Sequence, residues 1–232
     1  MKKFLLVLAL TFSVMGCSAH NPPRLSPSFH DGPEDIRVPV QAESISSVTD
    51  RVKKSIVRIT GNDPATNREL YICTGESIAP RKFLTAAHCV PEHLANSLGE
   101  EVQYQLEADG IRALAVKVDV AKDLAIVIVD LDKPAMTFRD EPIGFMELVH
   151  GIGFGHGLHF PLITNNFLLK HDSNLEVEGI WPGNVFMGAF IGGMSGGPIF
   201  DAAGLQVGVV QRGGQYIGYG VSVKTIREFL EE

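Results

Sequence analysis

The chain has 232 residues, of which 45% are hydrophobic and 20% are charged, and it contains 24 glycines and 13 prolines. This composition can bury a hydrophobic core, which excludes a disordered chain, and the lack of any repeat period excludes collagen, solenoid and coiled-coil folds. The formal net charge is −7 and no long basic cluster offsets it. Nucleic acid is therefore not an expected partner.

The first predicted element is an export signal. Two lysines precede an apolar run from Phe4 to Met15, which is too short to cross a bilayer as a mature helix. The end of this run, Val14-Met15-Gly16-Cys17, resembles a lipobox, in which the signal is cut before a cysteine that carries a lipid. An ordinary secretory signal with a free Cys17 and an uncleaved membrane anchor are the alternatives. We expect residues 1–16 to be a signal peptide, and the protein to be exported to the bacterial cell envelope and lipid-anchored to a membrane through Cys17.

Residues 17–43 follow as a polar segment that contains five prolines. This composition favours extended structure without a core of its own. We expect it to be a tether between the lipid anchor and a folded domain at residues 44–232.

Export makes the cysteine count informative, because disulfides persist in oxidising compartments. If Cys17 carries a lipid, Cys73 and Cys89 remain as an even set. We expect them to pair, and two buried thiols that pack as small hydrophobic side chains are the alternative.

The folded part begins with short runs that predict strands. Residues 102–107 alternate between polar and apolar with a period of two, while Leu124–Val129 is apolar throughout and should be buried on both faces. The remaining strands predicted in this first set are 55–60, 70–78, 82–85 and 111–118.

A second set of strands follows a proline-containing connection at residues 133–142. The predicted strands are 147–152, 167–169, 174–179, 185–190, 198–200, 206–211 and 218–223. Helical periodicity is confined to a final segment at 223–230. Regular short strands separated by turn signals indicate barrels or sandwiches.

Three segments combine the residue types of nucleophilic catalysis. They are Thr85-Ala86-Ala87-His88-Cys89, Asp123-Leu124-Ala125-Ile126-Val127 and Gly193-Met194-Ser195-Gly196-Gly197-Pro198. A serine hydroxyl is a poor nucleophile at neutral pH and needs an adjacent base, which His88 can be. A buried carboxylate, Asp123, would fix the tautomer of the imidazole and stabilise its charged form.

These segments, in this order, resemble the signature segments of the trypsin/chymotrypsin-like serine peptidases. The resemblance extends from about residue 44 to the C-terminus. It implies an all-β fold of two six-stranded antiparallel β-barrels with a short C-terminal helix, barrel one at about 44–133 and barrel two at about 140–224.

The same resemblance implies a function and a set of site residues. His88, Asp123 and Ser195 would be catalytic, and the N–H groups of Gly193 and Ser195 would form the oxyanion hole. The activity would be hydrolysis of peptide bonds in polypeptide substrates through an acyl-enzyme, without a cofactor or metal. Asp119 and Asp130 are rival acids, but only Asp123 opens the Asp-Leu-Ala-Ile-Val run that matches the family.

The family's pattern also suggests a substrate pocket and a disulfide. Motif alignment puts Ala189 near the base of the primary pocket, which implies an apolar rather than a basic preference. The pocket walls would come from Gln211, Arg212, Gly213 and Gly220. A Cys73–Cys89 bridge would match the disulfide that lies beside the catalytic histidine in many trypsin-like enzymes.

Two departures point to one branch of the family. Met194 precedes the serine, where trypsin-like zymogens use an Asp that pairs with the amino group released by activation cleavage, and no Ile-Val-Gly-Gly start is present. The chain therefore looks closer to the protease domain of bacterial HtrA-like enzymes, and we expect it to lack their PDZ domain.

Three other interpretations have less support in the sequence. Gly193-Met194-Ser195-Gly196-Gly197 also fits the nucleophile elbow of α/β-hydrolases, but those enzymes place a histidine after the serine, and none follows here. The histidines at 150, 156 and 159 lack the cysteine or carboxylate partners of a typical zinc site. A catalytically weak trypsin-fold lipoprotein that binds peptides or a protein partner remains the alternative function.

Overall fold

The computed structural model describes residues 43–95, 99–173 and 183–232. The predicted signal peptide, Cys17 and the tether up to residue 42, as well as the predicted strand 174–179, lie outside the described residues. Among the residues described, no helix is both long and apolar enough to cross a membrane.

The first half of the folded chain is a closed antiparallel barrel of six strands, as expected. The strands are β1 (Ile56–Asn62), β2 (Glu69–Ala79), β3 (Lys82–Thr85), β6 (Gln105–Ala108), β7 (Ile111–Asp119) and β8 (Leu124–Val129). Their order around the barrel is β1-β2-β3-β8-β7-β6. Two short strands, β4 (Leu94–Ala95) and β5 (Glu101–Val102), pair outside the barrel.

The second half forms a second closed antiparallel barrel of six strands. These are β9 (Leu148–Gly153), β10 (Leu162–Ser173), β11 (Gly183–Gly188), β12 (Pro198–Phe200), β13 (Gln206–Gly213) and β14 (Ile217–Ser222). They close in the order β10-β11-β14-β13-β12-β9. The predicted fold class is thereby confirmed.

Strand β8 is apolar at every position because it is covered on both faces. Ala125 and Val127 face the core of the first barrel, whereas Leu124 packs on the other side with Ile226 and Phe229 of the C-terminal helix. This helix, α2 (Val223–Glu231), begins at Ser222, whose side chain accepts the N–H of Thr225 at 3.3 Å. Both faces of β8 are covered, so neither selects polar residues.

An N-terminal helix, α1 (Ile45–Lys53), was not predicted. Serines and β-branched residues have modest helix propensity, so the local signal is weak. The helix is stabilised instead by Val48 and Val52, one turn apart, which pack with Ile152 and Phe200 of the second barrel. Tertiary burial outweighs propensity here.

The predicted strand 102–107 is interrupted. Its residues are divided between β5 and β6, with Gln103 and Tyr104 in neither. Tyr104 packs edge-to-face on Tyr71, with ring centroids 5.7 Å apart, and its hydroxyl donates to the carbonyl of Pro91. These contacts hold Tyr104 outside both strands, so the strand that the alternating sequence predicts is broken at this residue.

Candidate active site

The pairing of β3 with β8 brings the predicted base and acid together. His88 lies in a short turn after β3, Asp123 immediately precedes β8, and Thr85 pairs with Ala125 in the ladder between them. The Nδ1 atom of His88 lies 2.9 Å from Oδ2 and 3.0 Å from Oδ1 of Asp123. The backbone N–H of His88 also donates to Oδ1, at 3.0 Å. Asp123 is 1% exposed, so water does not compete for these bonds.

The two rival acids are engaged elsewhere. Asp119 accepts a hydrogen bond from Nζ of Lys122 at 2.9 Å, and this bond lowers the pKa of its carboxyl. Asp130 pairs with Arg81 at 3.3 Å on the surface. Of the three predicted candidates, Asp123 is therefore the one whose carboxylate contacts His88.

Ser195 opens onto the same cleft as His88 but is not hydrogen-bonded to it. The cleft, of about 300 Å³, is lined by both residues together with Phe190 to Gly192 and with residues 210–213 of β13. The Oγ atom of Ser195 donates to the carbonyl of Gln211 at 3.3 Å. Rotation of the Ser195 side chain would be needed to direct its hydroxyl at the imidazole, and resting sites often hold such bonds long or unformed.

The predicted disulfide is present. Cys73 on β2 and Cys89 in the turn after β3 are bonded, with their Cα atoms 5.9 Å apart. The alternative of two free thiols is thus excluded. A ring nitrogen of His88 lies within 4.8 Å of these sulfur atoms, so the bridge braces the segment that carries the histidine. Closing a loop of this length contributes about 3 kcal/mol in the chain-entropy account.

The loop before Ser195 presents two unused backbone donors. Gly193 has φ +97°, and a Cβ there would lie 2.3 Å from the carbonyl oxygen of Phe154, so only glycine fits. The carbonyl of Gly192 accepts the N–H of His156 at 2.9 Å, so the N–H of Gly193, which lies in the same planar peptide, points in the opposite direction. Within the described chain, the N–H groups of Gly193 and Ser195 donate to no other residue.

Met194, between these donors, is fully buried in the core of the second barrel. Its N–H donates to the carbonyl of Ile191 at 2.9 Å, and its sulfur accepts the N–H of Ile191 at 3.4 Å. Apolar packing therefore holds this loop where the family's zymogens use an Asp.

The cleft beside His88 and Ser195 contains some residues of the predicted substrate pocket and lacks others. Gln211, Arg212 and Gly213 line it, but Ala189 and Gly220 are not part of its lining. At Gly220 a Cβ would meet Cδ1 of Ile199 at 2.5 Å, so this position faces the barrel interior. The roles of Ala189 and Gly220 as pocket base and wall stay predictions that this lining does not support.

Phe190, which the sequence reasoning missed, fills the space beside three glycines. Its side chain would lie 2.6 Å from a Cβ at Gly151, 2.4 Å from one at Gly213 and 2.4 Å from one at Gly218. It also packs edge-to-face on Phe186, with centroids 5.7 Å apart. A glycine pattern alone does not reveal which neighbour fills the space, so no local signal could have identified this residue.

The histidines of the 150–159 segment lie in different environments. His150 is buried, stacks on Phe200 and bonds Asn165 at 2.8 Å, while His156 and His159 are exposed. This agrees with a structural strand and loop.

Comparison with known proteins gives a family and a fold. The sequence profile of the trypsin-like peptidase domain matches residues 73–209. A search of curated proteins gives no match. The active form of the Rv3671c protease from M. tuberculosis has 21% identity and a TM-score of 0.61, over 94% of this chain and 93% of that one. Its inactive form has 22% identity and a TM-score of 0.62, over 79% and 91%. A serine endoprotease from Yersinia pestis has 17% identity and a TM-score of 0.62, over 82% and 66%.

Proposed function

Because the chain belongs to the trypsin-like peptidase domain family, we propose that it is a serine endopeptidase that cleaves polypeptides through an acyl-enzyme on Ser195. The observation that carries this proposal is the contact between His88 and the buried carboxylate of Asp123, at 2.9 Å, on the edge of a cleft that also contains Ser195. The carboxylate would hold the imidazole in the tautomer whose Nε2 can accept a proton.

In the proposed reaction, Ser195 first turns from the carbonyl of Gln211 toward His88. The hydroxyl proton passes to Nε2 of His88 as Oγ bonds to the substrate carbonyl carbon, and the carbonyl electron pair moves onto its oxygen. That oxyanion is received by the N–H groups of Gly193 and Ser195, each worth about 3 kcal/mol in comparable sites. Collapse breaks the C–N bond, and His88 gives its proton to the leaving amine. Water then attacks the ester with His88 as base again, the bond between Oγ and the acyl carbon breaks, and His88 returns the proton to Ser195.

The cleft favours a small apolar residue before the scissile bond. Phe190 occupies the space beside Gly151, Gly213 and Gly218, so a long side chain from the substrate would collide with its ring. This narrows the apolar preference inferred from the sequence to short side chains such as Ala or Val.

We also propose that the protein acts in the cell envelope, with residues 1–16 as a signal peptide, a lipid on Cys17 and residues 17–43 as a spacer. The Cys73–Cys89 bridge is consistent with an oxidising compartment. The inferred likeness of the chain to HtrA-like enzymes agrees with the burial of Met194, a residue that needs no ion pair with a new N-terminus.

One observation favours the second candidate, a weakly catalytic peptide-binding protein. The hydroxyl of Ser195 is bonded to the carbonyl of Gln211 rather than to His88. If this arrangement persisted with substrate bound, the cleft would bind peptides without cleaving them.

A comparison of cleavage and binding separates the two candidates. The assay measures hydrolysis of an unfolded protein and binding of its fragments by wild type and by Ser195→Ala. The control is Ser46→Ala, which changes an exposed serine of helix α1. We expect wild type and Ser46→Ala to cleave, and Ser195→Ala to bind without cleaving. Binding without Ser195-dependent cleavage in wild type would favour the second candidate.

A further inference from the structure

We propose that the Thr74 side chain is a positioning residue that holds the oxyanion hole in its donor-ready form, an inference that rests on the proposed peptidase function. Thr74 belongs to β2 of the first barrel, whereas the loop that it contacts belongs to the second barrel. The first barrel would thus supply, besides His88 and Asp123, the group that shapes the loop of Ser195.

The contacts of Thr74 converge on that loop. Its Oγ1 donates to the carbonyl of Gly193 at 2.8 Å and accepts the N–H of Phe154 at 3.0 Å. Its backbone N–H donates to the carbonyl of Ser195 at 2.8 Å, and its own carbonyl accepts from Oγ1 of Thr85 at 2.7 Å. The hydroxyl of Thr74 thus both donates and accepts a hydrogen bond. Because Thr74 is fully buried, water does not replace either bond.

These contacts fix the direction of the N–H of Gly193. The peptide before Gly193 is held by the bond from His156 to the carbonyl of Gly192, and the peptide after it by the bond from Thr74 to the carbonyl of Gly193. With both peptide planes fixed, the residue between them is held at φ +97°. Glycine alone has low barriers to other conformations, so an external anchor is needed to keep this one.

The hydroxyl, rather than the bulk of Thr74, is the functional part. Valine has the same shape but can neither donate to Gly193 nor accept from Phe154. The Gly193–Met194 peptide would then keep only the bond from the N–H of Met194 to the carbonyl of Ile191, so it would be held less firmly. Serine retains the hydroxyl. Because the oxyanion exists only along the reaction path, misplacing one donor lowers kcat while the ground-state affinity changes little.

The experiment compares Thr74→Val with Thr74→Ser and with Thr60→Val. Thr60 is a buried threonine of β1 whose hydroxyl bonds Asn62 at 3.2 Å, so its valine variant controls for loss of a buried hydrogen bond in the same barrel. Each variant would be titrated for active sites with a fluorophosphonate. The kcat and KM per active site would then be measured across pH, with thermal melting in parallel.

We expect Thr74→Val to lose about 10- to 100-fold in kcat, less than the complete loss of one donor would cost. Its KM should change less than about twofold and its pH profile should keep the wild-type midpoint, since the His88–Asp123 contact is untouched. Thr74→Ser should restore most of kcat, and Thr60→Val should melt earlier without losing it.

Two results would overturn this inference, and they are distinguishable. If wild type cleaves with Ser195 but Thr74→Val keeps its kcat per active site, Thr74 is merely structural and the proposed function survives. If wild type itself neither cleaves nor labels, both proposals are wrong. Should Thr74→Val fail to fold, Thr74→Ala provides the same comparison, because it also removes the hydroxyl but places no apolar methyl group beside the carbonyl of Gly193 and the N–H of Phe154.

Discussion

Replacing Phe190 with alanine should convert the cleft from one that prefers small residues to one that accepts large ones. The ring is 2% exposed and fills the space beside Gly151 and Gly218. Truncation leaves that space open to the cleft, where the residue before the scissile bond would bind. The perturbation therefore acts on substrate choice and not on the groups that perform the chemistry.

The size of the effect follows from the apolar surface that a larger substrate could bury. A leucine side chain has three more carbons than alanine, and each buried methylene contributes about 0.8 kcal/mol. Full burial would then give about 2.4 kcal/mol, or about 60-fold in the ratio of kcat/KM for the two substrates. The lost core packing should cost about 3–5 kcal/mol of folding stability.

The assay uses two peptide p-nitroanilides that differ only in that residue, alanine or leucine. Phe229→Ala is the matched control, because Phe229 is a fully buried phenylalanine of α2 that does not line the cleft. It should lose stability but keep the wild-type preference. If Phe190→Ala proves too unstable, Phe190→Val removes most of the ring at lower cost. A folded, active Phe190 variant with an unchanged preference would refute this reasoning.

Three further outcomes are expected. Burial raises the pKa of the Glu76 carboxyl well above its ordinary value of 4.5, so the folded state binds a proton that the unfolded state releases. The contribution of this proton to folding stability is complete below about pH 4.5 and is lost as the pH rises through the pKa of the folded state. Glu76→Gln, which can still pair with Gln206, should therefore raise the melting temperature more at pH 8 than at pH 5, and an equal change at both would contradict the shift. His88→Ala and Ser195→Ala should each abolish most turnover with little further loss in the double variant, whereas multiplicative losses would show that they act independently. Because buried Met194 packs where zymogens keep an Asp, chains that start at different points in 17–43 should have similar kcat/KM, and activity that required one particular cut would contradict this.

Elements with a complete local signal were predictable. β3, β8 and β12 have the predicted bounds, and the C-terminal helix differs by one residue. Helix α1 was not predictable, because its stability comes from packing Val48 and Val52 on another part of the chain. Periodicity reports which side chains are covered but not what covers them.

The site also contains residues that a short local segment indicates and residues whose role depends on tertiary contacts. His88, Asp123 and Cys89 lie in short segments whose residue types indicate their relationship, and the contact of His88 with Asp123 and the Cys73–Cys89 bridge are both present. Thr74 is separated by 119 positions from Gly193, whose carbonyl it contacts. Such a contact depends on how the two barrels meet, and no spacing within the sequence encodes it. The resting rotamer of Ser195 is likewise set by the neighbouring carbonyl of Gln211.

The central claim is that His88 activates Ser195 as a nucleophile, and covalent labelling tests it most directly. Intact-mass measurement after reaction with a fluorophosphonate, followed by peptide mapping, would locate the adduct. The account predicts one adduct per chain, on Ser195, with none on Ser195→Ala and much slower labelling of His88→Ala. An unlabelled wild type, or equal labelling of wild type and Ser195→Ala, would contradict it.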